Sequence, residues 1–159
     1  MIQNIRRSLT DLLGAEYTAA VCRARAALTG ESPEALRAVA DEKVDFYPEA
    51  FARRQEELMG DIGHSLAPAF ADTEDGAPTH SYRAAQHSFA APLGGLGAFR
   101  IGEDGRLYFA GKSEHYQIPL GHDFPGYSLI ENAKRLGIPN ATHNNTRGFI
   151  TRTLERRLI

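Results

Sequence analysis

Cysteine is almost missing from this chain, and lysine is nearly as scarce. Cys22 stands alone, which excludes an intrachain disulfide and any zinc site built on several thiolates. Lysine occurs only at Lys43, Lys112 and Lys134, so chemistry that needs a primary amine has few candidates. Neither sign of charge dominates. A formal net charge of −2 gives no electrostatic reason to expect nucleic acid or an anionic membrane as partner. The N-terminal stretch MIQNIRRSLTDLLGAEY has no apolar run of signal-peptide length, and no later segment approaches a membrane span. A cytoplasmic location is therefore expected. Internal repeats are missing, and so is any low-complexity tract beyond short linkers. Two Asn-x-Thr triplets, Asn140-Ala141-Thr142 and Asn144-Asn145-Thr146, read as coincidence without an export signal.

What is there is ordinary for a globular protein: 159 residues, 42% hydrophobic and 24% charged, enough for one compact domain with a real core. Apolar residues at Ile2, Ile5, Leu9, Leu12, Leu13, Tyr17, Val21, Ala24 and Leu28 recur every three or four positions, which predicts one long helix stopped at Thr29-Gly30. Cys22 lies beside that stripe and reads as a small packing residue. Ser32 is an N-cap with Pro33 at the first helical position, and Leu36, Val39 and Ala40 form the inner face of a second helix. Pro48 opens a third, with Phe51 and Leu58 inward and Arg53, Arg54, Glu56 and Glu57 on a solvated face.

Composition shifts after Gly60. Pro68 to Thr79 reads as a loop, and Ala91 to Gly97 as a second break, with the isolated His64, His80 and His87 at the surface. Gly97 to Ala110 is a β-hairpin, its two runs flanking Glu103-Asp104-Gly105, where the Asp-Gly pair supplies positive φ angles. Further on, Ser128 and Glu131 match a capping box. Leu129, Ile130, Ala133 and Leu136 form that helix's apolar face, and Gly137 and Pro139 end it. A last helix starts near Phe149 with Ile150, Leu154 and Leu158 spaced by four. It carries no stop signal, so the chain reads as cut at Ile159.

Lys112 to Gly148 is unlike a core-building segment. It holds His115, His122 and His143 with Tyr116, Tyr127, Asn140, Thr142, Asn144, Asn145 and Thr146, each of which would need its own partner if buried. Glu114, His115, His122 and His143 are metal-ligand types, but no recognised ligand spacing is present, and adjacent Glu114 and His115 would point apart on a strand. Ser113 near His115 lacks the Gly-x-Ser-x-Gly elbow. Gly94-Gly95-Leu96-Gly97 precedes a strand and reads as a turn, not a phosphate cradle. Thr146-Arg147-Gly148, before the last helix, is the better anion candidate, against the simpler reading of Thr146 as an N-cap.

The run Gly97-Ala98-Phe99-Arg100-Ile101, then Glu103-Asp104-Gly105-Arg106-Leu107-Tyr108, then Leu120-Gly121-His122-Asp123-Phe124-Pro125 resembles the start of class-III aminotransferases. These are fold-type I enzymes dependent on pyridoxal phosphate. The resemblance covers about residues 94 to 159. It implies a mixed α+β chain: a helical N-terminal extension over 1–90, then a hairpin-plus-helix segment over 91–159 like the family's N-terminal, small-domain region. In such enzymes this region lines the substrate entrance and joins a homodimer. The resemblance thus implies substrate contacts at Lys112, Ser113, Glu114, His115 and Tyr116, with Lys112 as the cation, and a hydrogen-bonding role in the turn for His122.

Departures from the pattern are also plain. The first 90 residues are an addition, and the KSEHY and THNNTRG segments are more elaborate than the family's, as in a divergent subgroup. The family's cofactor core lies downstream of the matched part, and none of Lys43, Lys112 or Lys134 falls at its Schiff-base position. The resemblance therefore implies the N-terminal part of a transferase that is not catalytic alone. Its partners would be the remainder of the enzyme, a second subunit and a small amino donor or acceptor. The loop Thr142, His143, Asn144, Asn145, Thr146 and Arg147 inherits no family role and stands as a second polar site. From another class, the same polar loops suit a non-catalytic α+β module that binds a small ligand or a protein.

Overall fold

A computed structural model describes residues 3–70, 79–80, 90–110, 120–138 and 148–159. They form helices and two small antiparallel sheets, the mixed α+β class expected from the sequence. The chain divides into two compact units, Met1–Asn4 with Tyr47–Pro125, and Ile5–Phe46 with Gly126–Ile159. These bounds differ from the 1–90 and 91–159 parts that the resemblance implies. Each unit is assembled from separated stretches of sequence.

In the second of these units, the long N-terminal helix expected from the apolar stripe is broken. Arg6–Arg7 (β1) pairs antiparallel with Val44–Asp45 (β2), and helix α1 spans only Leu9–Leu13. The cause lies in three residues that the stripe ignores. Ser8 accepts from the Asp11 amide at 3.1 Å while Asp11 accepts from the Ser8 amide at 2.8 Å, a complete capping box that starts a helix. Gly14, at φ 89°, ends it and redirects the chain into α2, Ala15–Thr29. As a result α2 buries Thr18 and Cys22, whereas Leu28 is 84% exposed. Burial pushes the Cys22 thiol up, as suits a packing residue.

Helix α3, Pro33–Asp41, follows the sequence reading closely. The Ser32 hydroxyl accepts from the Ala35 amide at 3.1 Å, and Leu36, Val39 and Ala40 are buried. Helix α5, Ser128–Arg135, departs from it at one end. A 3-10 turn over Pro125–Tyr127 runs straight into the helix, so Ser128 lies inside it and caps nothing, while Glu131 pairs with Lys134 at 2.7 Å. The other end is as expected. Gly137, at φ 70°, donates to Lys134 O at 2.9 Å and Ile138 to Ala133 O at 2.9 Å, the paired bonds of a Schellman stop. Leu9, Cys22, Leu36, Val39, Ala40, Val44, Leu129, Leu136 and Ile138 form one core. The last helix, α6, Phe149–Leu158, stacks Phe149 on Tyr17 with centroids 4.4 Å apart, and Arg157 donates to Leu12 O at 3.4 Å. Ile150, Leu154 and Leu158 stay exposed.

The first unit holds α4, Glu49–Met59, and a three-stranded meander of β3, Pro92–Leu96, β4, Phe99–Gly102, and β5, Leu107–Phe109. The expected hairpin is β4–β5, with Phe99 opposite Phe109 and Ile101 opposite Leu107. Its turn differs in detail, because Gly105 alone takes a positive φ (75°) and Asp104 does not. Gly105 N bonds Gly102 O at 2.9 Å and Gly102 N bonds Arg106 O at 3.0 Å, which is a three-residue loop closed by a left-handed glycine. A larger correction concerns Pro92–Leu96, expected as a turn and found as a strand paired with β4 through a bulge near Leu93. Its side chains are mostly exposed, so the backbone ladder and not apolar burial defines it. Leu58, Phe99 and Leu107 form this unit's core, flanked by Leu96, Ala98 and Ile101. On α4, Leu58 is buried and Phe51 half-buried, and Arg54 pairs with Glu57 at 2.9 Å on the solvated side.

Candidate functional site

The hairpin run that begins at Gly97 and the Leu120–Pro125 run meet at one point in the first unit. Gly97, in the tight turn between β3 and β4, donates to His122 O at 2.5 Å, and His122 N donates back to Gly97 O at 2.8 Å. The chain therefore returns from β5 to close a two-bond bridge against the start of its own hairpin. Ala110, at the end of β5, donates to Ala98 O at 2.7 Å. The flanks of the 111–119 segment are thus bonded to two adjacent residues, Gly97 and Ala98.

Helix α4 supplies the third participant. The Gln55 side chain donates to Leu96 O at 3.1 Å and accepts from the Ala98 amide at 3.0 Å, spanning Gly97 as a peptide group would. Every backbone polar group from the Leu96 carbonyl to the Ala98 carbonyl is then bonded, by Gln55, His122 or Ala110. Part-buried amides left without partners would each cost about 1–3 kcal/mol, so this turn is strongly specified.

Glycine makes the approach possible. The His122 imidazole lies against the bare Cα of Gly95, where a Cβ would overlap the ring. At Gly121, φ 94°, a Cβ would sit 2.5 Å from Gly97 O. Asp123 follows in the left-handed region at φ 49°, a conformation aspartate tolerates better than most residues. Phe124 is then buried, its ring 5.3 Å from that of Tyr47, which in turn meets Phe51 at 5.9 Å. Those contacts seat the Leu120–Pro125 motif.

Electrostatics near the hairpin turn are local. The Tyr108 hydroxyl donates to Asp104 at 2.6 Å, which holds the Asp104 carboxyl below its ordinary range and pushes the Tyr108 phenol up. The Arg106 amide adds a 3.0 Å bond to the same carboxylate.

Lys112, Ser113, Glu114, His115 and Tyr116 lie outside the described residues, as do Thr142, His143, Asn144, Asn145, Thr146, Arg147 and His87. Of Glu114, His115, His122 and His143, only His122 is among the described residues, and no group of three or more His, Cys, Asp or Glu residues is placed to hold a metal among them. His64 and His80 are exposed. Gln55 escaped the sequence reading altogether. Gly97, where a Cβ would overlap the Gln55 side chain, was its only trace.

Pyridoxal phosphate can be tested against the lysines that are described. Lys43 bonds the Asp11 carboxylate and Lys134 the Glu131 carboxylate, both with largely exposed side chains, 46% and 60%. A lysine that forms an aldimine needs an enclosed site, so these two do not fit the cofactor.

The chain matches no family model, no curated protein and no solved structure. Among the described residues, no helix is long and apolar enough to cross a membrane.

Proposed function

We propose that this chain is the N-terminal part of a pyridoxal-phosphate-dependent enzyme of the class-III aminotransferase type, contributing substrate-site and dimer contacts and not catalytic alone. The observation that supports this reading is the Gly97–His122 bridge. It joins the hairpin motif to the Leu-Gly-His-x-x-Pro motif as one local structure. The bridge is compatible with the order in which the resembled family carries the two motifs. In this reading Lys112 offers a cation to the substrate carboxylate, with Ser113, Glu114, His115 and Tyr116 beside it. The Thr142–Arg147 loop supplies further polar contacts. The cofactor, whose chemistry is that of an electron sink for amino-group transfer, would be held by residues beyond those described here.

The test is to express this chain joined to whatever coding sequence follows Ile159, with pyridoxal phosphate, and record the absorbance band of a lysine aldimine. The reading expects the band, and amino-group transfer to an oxo-acid. Changing Lys112 to Met should then raise KM for the amino donor roughly 10- to 100-fold, the value of one charge-assisted hydrogen bond, with the band unchanged. A reading frame that stops at Ile159, or a folded extended protein without the band, overturns the proposal. A second reading is a non-catalytic α+β module that binds a ligand or protein through its polar loops; the exposed ion pairs of Lys43 and Lys134 suit both readings. Ligand binding by the 159-residue chain without any aldimine would support that alternative.

A further inference from the structure

We draw no further inference here: the strongest candidate, the exposed stripe of Ile150, Leu154 and Leu158 along the last helix, is an apolar face for which nothing in the structure shows what covers it.

Discussion

Gly95 and Gly94 are neighbours in one strand, yet their surroundings differ completely. A Cβ on Gly95 would overlap the His122 ring, whereas one on Gly94 would meet nothing within 4 Å. Gly95→Ala should therefore force the imidazole from its seat and lower stability by about 1–3 kcal/mol, the usual cost of overpacking. Gly94→Ala should change it by less than about 1 kcal/mol. Urea midpoints of the two variants measure the difference, and equal midpoints would show that His122 is not packed as described. Such a contrast was beyond the sequence. Gly94-Gly95-Leu96-Gly97 reads as a turn because glycine marks freedom, and nothing local says which glycine faces a ring from residues nearly thirty positions away. Only Gly97, whose φ of 57° places it in the turn itself, behaves as the composition suggests.

Elements were readable where their signals were short-range. Ser32-Pro33 fixed the start of α3, Gly137 the stop of α5, and the Glu103-Asp104-Gly105 turn the β4–β5 hairpin, because caps and turns are set by residues within a few positions. Two elements were misread, one because a local cap outweighed the apolar stripe and one because strand pairing acts at longer range. The N-terminal stripe ran through Leu28, but the Ser8–Asp11 box and Gly14 broke the helix, so Leu9, Leu12, Leu13 and Val21 keep to the core with Cys22 while Leu28 is exposed. Strand β3 has few residues that favour a strand, and exists through pairing with β4. Leu36→Ala should consequently cost about 2–5 kcal/mol, since Leu36 is fully buried. Leu28→Ala, at the position the stripe singled out, should cost almost nothing. Thermal or urea unfolding of both variants decides between the two placements of the apolar face.

The same N-terminal box predicts a pH response. A hydrogen bond from Lys43 and a second from the Ser8 amide hold the Asp11 carboxyl down to about 2, against an ordinary value of 3.8. A depressed folded value means the stabilisation is complete above the unfolded value and lost as pH falls through the folded one. The contribution of Asp11 should therefore be intact at neutral pH and vanish between about pH 4 and about pH 2. Asp11→Asn should flatten the acid limb of a stability–pH curve in that window. A limb as steep as in the unmodified chain would show that other carboxylates govern it, Asp41 among them, which Thr10 and then Arg37 also hold down.

At the scale of the molecule, the α+β class and the hairpin were legible, while the candidate site was legible only as a concentration of polar residues. Its frame, Gln55 on α4 bonded to Leu96 and Ala98 around Gly97, depends on contacts across more than forty positions, and no periodicity encodes those. The last helix also acts at this scale. Leu154 is 56% exposed and Leu158 77% exposed, beside Ile150. Replacing both leucines with Glu should lower concentration-dependent light scattering of the chain while leaving its unfolding midpoint within about 0.5 kcal/mol, as expected of surface positions. A large loss of stability would instead place those leucines in a core.

The discontinuous makeup of the second unit has a consequence for how the protein is made. Leu9, Cys22 and Leu36 share a core with Leu129, Leu136 and Ile138, but the two groups lie on stretches separated by about eighty residues of the first unit. At a synthesis rate of roughly 5–20 residues per second, the earlier stretch waits roughly 4–16 s for the later one to leave the ribosome. During that interval the inner faces of α1, α2 and α3 have only one another to pack against. The nascent chain therefore has a timed window in which its first helices are the natural clients of a holdase. Slowing translation between Tyr47 and Pro125 should lengthen that window, whereas slowing it before Ile5 should not.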